Sequence, residues 1–267
     1  VSLDADKVRE AREEEIAFYK KSGVYNCVHK SQVQATGGKM ITVKWLDTNK
    51  GDKDHPNYRS RLVGREYNEG KDDSLYASTP PLEALRLIVS HAATVDESQN
   101  GERRELMIND VRRAHFYAKQ QRNLFINLPK EDLEAGADDI GQLLLCLYGT
   151  SHAAKEWQKT LTKHLMSIGF APGKGHPSIF VHRERNIRVL VHGDDYFPSG
   201  LGDDLSWLQA RLEERFDIKT QRISGNSNHD KDRNLNNDQH CCFRLARGAD
   251  WAVRWLKLLR HRLASRV

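Results

Sequence analysis

Three aspartates carry the chemistry that stands out in this chain. Asp194 and Asp195 are adjacent and end a stretch that reads as a β-hairpin: Ser178-Ile179-Phe180-Val181-His182, the polar turn Arg183-Glu184-Arg185-Asn186, and the run Ile187 to Tyr196. The second run is almost wholly apolar, which argues burial, and it finishes in the two carboxylates. Like charges crowded at the end of a buried strand are costly unless something neutralises them. Mg²⁺ is a suitable neutraliser, because it takes hard oxygen ligands and accepts one or two carboxylates together with phosphates. An ordinary Asp-Asp turn closing a strand is the alternative. Asp110 follows a second short apolar run, Leu106-Met107-Ile108. In two-metal phosphoryl transfer, carboxylates from separate strands hold two cations about 3.5–4 Å apart. One cation activates an attacking 3′-oxygen and the other stabilises the leaving pyrophosphate. An Asp on one strand and an Asp-Asp pair on a neighbouring hairpin meet that requirement.

The elements that must position these groups can be read from periodicity. Residues 4–22 read as a charged surface helix with Val8, Ala11, Ile16 and Tyr19 roughly on one face. Ile41 to Leu46 and Arg59 to Val63 read as strands joined by the turn-rich loop Thr48 to Pro56. Strand side chains alternate, so Arg59, Arg61 and Arg65 share a face if the strand is regular. Guanidinium groups bind phosphate in bidentate fashion, and a solvated basic face is the competing explanation. Pro80 to Ala93 reads as a helix with Leu82, Leu85, Ile88 and Val89 inward. Ser151 to Phe170 reads as another, with Trp157, Leu161, Leu165 and Ile168 as core, and Leu205 to Phe216 as a third. Helices alternating with antiparallel hairpins argue an α+β fold. Ser224 to Gln239 is polar, Asn/Asp-rich and without periodicity. Ala249 to Arg266 could form a basic amphipathic helix with Trp251, Trp255, Leu258, Leu259 and Leu263 along one side.

Composition bounds the function classes. At 267 residues the chain can bury a good core in one or two subdomains. A net charge of +5 is mildly basic, compatible with gripping phosphate backbones around an acidic site. The longest apolar run, Leu143 to Tyr148, is far short of the ~20 residues that span a bilayer, and no signal peptide is evident. The first residue, Val1, suggests a fragment of a longer polyprotein. Of the four cysteines, Cys27, Cys146, Cys241 and Cys242, none is spaced as a disulfide framework or zinc ribbon. Cys241-Cys242 with His229 and His240 is a weak metal candidate; free thiols in a reducing compartment are the simpler reading.

A series of blocks in order resembles the reverse transcriptase domain of Ty1/copia-type retrotransposon polyproteins. Lys44-Trp45-Leu46-Asp47 and Tyr58-Arg59-Ser60-Arg61-Leu62-Val63 are similar to the fingers segment K-W-V…Y-K-A-R-L-V. Asp73 to Pro80 is similar to D-Y…T-F-A-P, and Leu85 to Ala93 to the helix that follows. Asn109-Asp110-Val111…Ala114-His115-Phe116 is similar to L-D-V-x-x-A-F-L, and Leu124 to Pro129 to I-Y-M-x-x-P. Leu147-Tyr148-Gly149-Thr150-Ser151 through Trp157 is similar to L-Y-G-L-K-Q-A-x-R-x-W. Gly169-Phe170 and Pro177 to Phe180 match a further block, and His192-Gly193-Asp194-Asp195 stands in place of Y-V-D-D. The blocks run from about Trp45 to Arg222.

The resemblance implies a polymerase palm with fingers, an antiparallel sheet packed on helices, with an incomplete or degenerate thumb. It divides the chain into an N-terminal helix and lead-in (1–40), fingers and palm (41–222) and an irregular tail with a possible thumb-like helix (223–267). It implies RNA-directed DNA polymerase activity, with Asp110, Asp194 and Asp195 holding two Mg²⁺ ions, Mn²⁺ being a substitute. The implied partners are a template-primer and dNTPs, with no membrane. RNase H, protease and integrase motifs are absent from the sequence. Arg59, Arg61 and Arg65 become candidates for triphosphate contacts, and backbone near Val111 for seating it. His115 takes the position under the incoming sugar, where the family has Phe, and Gly149 faces the nascent pair. A cytoplasmic particle or the nucleus is the implied location. His115, His192 and the tail depart from the family pattern and favour a competing reading, a decayed or truncated element that folds or binds nucleic acid without polymerising. Gly193-Asp194-Asp195 alone suggests an RNA-templated RNA polymerase, which the fingers and Leu147-Tyr148-Gly149 blocks oppose.

Overall fold

A computed structural model describes residues 3–52, 54–66, 80–96 and 101–223. In chain order the elements are α1 (Ala5–Ser22), β1 (Tyr25–His29), α2 (Ser31–Thr36), β2 (Lys39–Asn49), β3 (Tyr58–Arg65), α3 (Leu82–Ala92), β4 (Val95–Asp96), β5 (Glu102–Arg103) and β6 (Glu105–Val111). A 3₁₀ turn (Ala114–Tyr117) leads to β7 (Leu124–Asn127), β8 (Asp139–Leu143), α4 (Ala153–Ser167), β9 (Ala171–Pro172), β10 (Ile179–His182), β11 (Ile187–His192), β12 (Asp195–Gly200), α5 (Gly202–Glu213) and β13 (Ile218–Ile223). Among the described residues, two main sheets, a two-stranded ribbon and five α-helices give a mixed α and β fold. It divides into two compact units, one of residues 1–77 and 113–164, the other of residues 78–112 and 165–267.

The first unit is built on a five-stranded sheet in the order β1-β8-β7-β2-β3. Residues 25–29, expected in a lead-in, form one edge of it by pairing with β8. Helix α1 begins where the Asp4 carboxylate accepts from the backbone N–H groups of Asp6 and Lys7, and it stops at Gly23 with φ 63°. Its inner face, Ala11, Glu15, Ile16 and Tyr19, is buried, so it is a packed helix and not a solvated one. Burial of Glu15 is compensated by Arg113 at 2.7 Å, and the Tyr19 hydroxyl donates to the Leu62 carbonyl at 3.0 Å. Ile16, Tyr19, Ile41, Leu62, Phe116, Leu124, Ile126 and Leu147 share the core.

The second unit is a six-stranded antiparallel sheet in the order β13-β6-β12-β11-β10-β9. The β10–β11 hairpin lies where the sequence places it. Asp194 and Asp195 sit one hairpin later, at the turn into β12, a strand the sequence does not announce. Helix α3 packs Ala84, Leu85, Ile88, Val89 and Ala92 against Leu106, Ile108, Leu190 and Phe197. Leu82, expected inward, is 41% exposed because it opens the helix directly after Pro81. Helix α4 ends at Ser167, so Ile168 lies past it and only half-buried. Helix α5 buries Leu205, Leu208 and Leu212, with Phe216 buried beyond its end.

The Asp73–Thr79 portion of the block that ends at Pro80, Cys241, Cys242, His229, His240, and the tail from 224 with the basic helix expected in it lie outside the described residues. Cys27 and Cys146 are free thiols, one exposed and one buried. No helix among the described residues is long and apolar enough to cross a membrane.

Candidate active site

Strand register places the three aspartates. Asp195 is the direct partner of Asp110 across β12 and β6. His192 is the partner of Asp195 on β11, and Lys219 the partner of Asp110 on β13. Residues directly opposed on antiparallel strands project to the same face. Lys219, Asp110, Asp195 and His192 therefore form one row over four neighbouring strands. Two rows further along that face come Gln221, Ile108, Phe197 and Leu190, then Ile223, Leu106 and Ser199. Helix α3 packs on Leu106, Ile108, Leu190 and Phe197 of these rows, and its His91 Nδ1 lies 2.8 Å from the Ser199 hydroxyl. On the opposite face the neighbours of the aspartates, Asn109 and Tyr196, are fully buried, and Asn109 Nδ2 donates to the Thr220 hydroxyl at 2.8 Å.

Asp194 occupies the two-residue turn between β11 and β12. Gly193 has φ 61°, and Asp194 is not among the positive-φ residues. Positive φ at the first central position only is the pattern of a type II′ hairpin turn, which calls for Gly there. The glycine is thus explained by the turn. The Val111 N–H donates to the Asp194 carbonyl at 2.9 Å, and the Arg112 N–H to the Asp217 carbonyl at 2.9 Å. The main chain of β6 is tied on both sides, so all three aspartates belong to one hydrogen-bonded frame. This also qualifies the role expected of Val111: its side chain is buried and its N–H is engaged by the turn.

The donor chemistry suits Mg²⁺, since carboxylate oxygens are the ligands that ion prefers. Among the described residues, no group of three or more His, Cys, Asp or Glu side chains is gathered tightly enough to hold an ion. The assignment of these carboxylates to a cation therefore rests on backbone register. Lys219 brings a positive charge to the same row.

The first unit holds the remaining candidates. Along β3, Arg59, Arg61 and Arg65 are exposed while Ser60, Leu62 and Gly64 are buried, so the arginines do share one face. Arg59 and Arg65 are six residues apart, about 20 Å along a strand. Arg61 lies over the Tyr148 ring, 5.5 Å from its centroid. The other side of the relation is His115, whose ring stacks on Tyr148 with centroids 4.4 Å apart. Tyr148 thus joins Arg61 and His115, and Gly149 follows it in the chain. Gly149 has φ 80°, and a Cβ there would lie 2.2 Å from the Gly64 carbonyl oxygen and 2.5 Å from Val63 Cγ1. A close approach of two backbones, besides the positive φ, requires glycine at this position. The Gly64 N–H donates to the Tyr148 carbonyl at 2.7 Å.

Residues 24–224 match the reverse transcriptase (RNA-dependent DNA polymerase) family. That is well over half of the chain, and it contains both units' candidate groups. The chain belongs to the reverse transcriptase family. No curated protein matches it.

For a reverse transcriptase chain, two features escaped the sequence reading. Lys219 stands beside Asp110 on β13, whose sequence Ile218-Lys219-Thr220-Gln221-Arg222-Ile223 has no apolar run to mark it. Glu66 is the second. Its carboxylate is gripped by Arg122 through both terminal nitrogens at 2.8 Å, and it accepts from the Ser151 N–H and hydroxyl at 2.9 Å each. Burial alone would raise the Glu66 pKa. The Arg122 hydrogen bonds, both Ser151 bonds and the Arg122 charge outweigh it and pull it down to about 2.

Proposed function

We propose that this chain is an RNA-directed DNA polymerase domain of a Ty1/copia-like retroelement, with the architecture of a palm carrying the aspartates and fingers carrying the β2–β3 hairpin. The match to a family typical of such elements supports it. The observation that carries the reading is the in-register row of Asp110 and Asp195, with Asp194 in the adjoining turn. Asp110, Asp194 and Asp195 are the residues that would hold the divalent ions, Mg²⁺ or Mn²⁺. Bound there, such ions neutralise charge on the triphosphate and on the attacking 3′-oxygen of the primer.

The chain's own residues do the rest by positioning. Lys219 offsets part of the negative charge of the row, which lowers the cost of keeping carboxylates side by side. Arg61 is the guanidinium best supported for a triphosphate contact, since Tyr148 fixes it near His115. His115 meets the sugar of the incoming nucleotide, and Gly149, packed against the Gly64 backbone, holds the turn that faces the nascent pair. The substrates are a template-primer and dNTPs. RNase H and integrase activities belong to other parts of such a polyprotein, and a cytoplasmic particle or the nucleus is the setting we propose.

The test is primer extension on poly(rA)/oligo(dT) with dTTP, comparing the chain with Asp194→Asn. Mg²⁺-dependent extension that disappears in the variant is the expected result. No extension by either folded protein, with Mg²⁺ or Mn²⁺, would overturn polymerase activity and favour a truncated or decayed element that only binds nucleic acid.

A further inference from the structure

Four segments of the first unit meet at one buried carboxylate. Glu66 directly follows β3. Its side chain is 2% exposed. Arg122, just before β7, donates to it from both terminal nitrogens. Ser151, two residues before α4, donates to it from both its main chain and its hydroxyl. Lys39, the first residue of β2, places its ammonium 3.7 Å from the same carboxylate. Arg122 Nη2 also reaches the Ser151 hydroxyl at 3.3 Å, which closes the network. Charge-assisted and bidentate bonds of this kind are the strong, directional ones.

What this network holds is the turn from Leu147 to Ser151. The end of β3 runs alongside that turn. The Gly64 N–H donates to the Tyr148 carbonyl at 2.7 Å, and the Glu66 N–H to the Gly149 carbonyl at 3.4 Å. The Glu66 side chain then pins the far end of the turn at Ser151. Tyr148 is therefore fixed on both sides, and with it the Arg61–Tyr148–His115 stack. A carboxylate at this position is costly unless its partners are in place.

We propose that Glu66 is a positioning residue for the incoming nucleotide. Through Arg122 and Ser151 it sets the height and tilt of Tyr148, and so the placement of His115 and Arg61. This inference rests on the nucleotide-binding role given above to those two residues. Glu66 itself does not touch the nucleotide, since its oxygens are occupied by Arg122 and Ser151.

The role separates binding from chemistry. Glu66→Gln keeps the shape and one acceptor but loses the charge and the second strong acceptor. Steady-state extension by the full chain should then show a KM for dTTP raised about tenfold with kcat within twofold. Glu66→Asp, which keeps the charge on a shorter arm, should lie between the variant and the parent. A purely structural role would instead lower the active fraction, and kcat with it, while leaving the KM of the folded fraction unchanged. That outcome overturns the proposal. Amide hydrogen exchange supplies a readout independent of catalysis: the Ser151 and Gly64 amides should lose protection in Glu66→Gln, and unchanged protection overturns the clamp. If the parent chain fails to extend any primer, the polymerase reading has failed and the positioning role falls with it. Exchange then still decides whether Glu66 clamps the turn.

Discussion

The carboxylate row of the second unit is held by main-chain pairing, whereas the Tyr148 platform of the first is held by side chains. Asp110 and Asp195 owe their juxtaposition to the register of β6 with β12, which every residue of both strands helps to fix. Tyr148 owes its place to one buried glutamate, one arginine, one serine and a glycine that admits a neighbouring backbone. The first arrangement is redundant: removing one aspartate side chain leaves the frame standing. The second has few members, so a single substitution can move it. One arrangement is spread along the length of two strands, and the other is concentrated in a single clamped turn.

The largest effect should come from the row, and it should be functional only. Asp110→Asn removes a negative charge from a crowded row without altering strand pairing. Extension should fall on the order of 10³-fold, while thermal unfolding stays put or rises, because like charges are relieved. A large drop in Tm would break the comparison, since it would mean the side chain helps hold the sheet.

Two turn glycines, Gly149 in the first unit and Gly193 in the second, sharpen the contrast. Gly149→Ala forces a Cβ to within 2.2 Å of the Gly64 carbonyl at φ 80°, and should destabilise on the order of 3 kcal/mol. Gly193→Ala has φ 61° but no atom within 4 Å of the added Cβ, so only the left-handed strain remains, about 1–2 kcal/mol. Denaturant midpoints of the two variants check this, and equal losses would argue that the packed turn is no tighter than the open one.

Acid provides a third handle, confined to the first unit. The Glu66 pKa is lowered in the folded chain to about 2 from the ordinary 4.5. A lowered carboxylate pKa contributes stability that is fully present above the unfolded value and is lost as pH falls through the folded one. The Glu66 contribution should therefore fade between pH 4.5 and 2. Urea midpoints of the parent should drop more steeply over that window than those of Glu66→Gln, and parallel curves would contradict the assignment.

The same division explains what could be read in the sequence. Asp110 and the Asp194–Asp195 pair were visible because each ends an apolar run, and a strand buried on both faces leaves that trace. Strand β12 was not, because Tyr196-Phe197-Pro198-Ser199-Gly200 contains Pro and Gly, which read as a turn. It is nonetheless a central strand, with Pro198 opposite Val189. Strand β13 carries Lys219 to the row, yet its residues are polar along most of its length and only pairing with β6 defines it. Strand β3 was legible because its arginines alternate with Ser60, Leu62 and Gly64. Glu66 left no trace at all: its partners lie 56 and 85 residues away, and no local pattern joins a lone acid to them.

The smallest effect concerns His115, and it tests whether the platform is shaped for one sugar. Its ring is stacked on Tyr148 with planes 19° apart, so a phenyl ring can take the same place with little repacking. Phe is larger and offers no polar edge, whereas an imidazole can hydrogen-bond a hydroxyl. A pocket that can hydrogen-bond a substrate hydroxyl tolerates it better than an apolar one of the same shape. His115→Phe should therefore increase the preference for dTTP over UTP by about tenfold, with the KM for dTTP nearly unchanged. Because Tyr148 and the Glu66 network stay intact, Tm should not move. Equal selectivity in the two proteins would mean that the ring at 115 only supports Tyr148, and that the sugar is read elsewhere. Combined with Glu66→Gln, the substitution becomes a sharper instrument. If Glu66 acts by placing the ring, the selectivity gained from Phe should shrink once the clamp is weakened, and the two effects should fail to add.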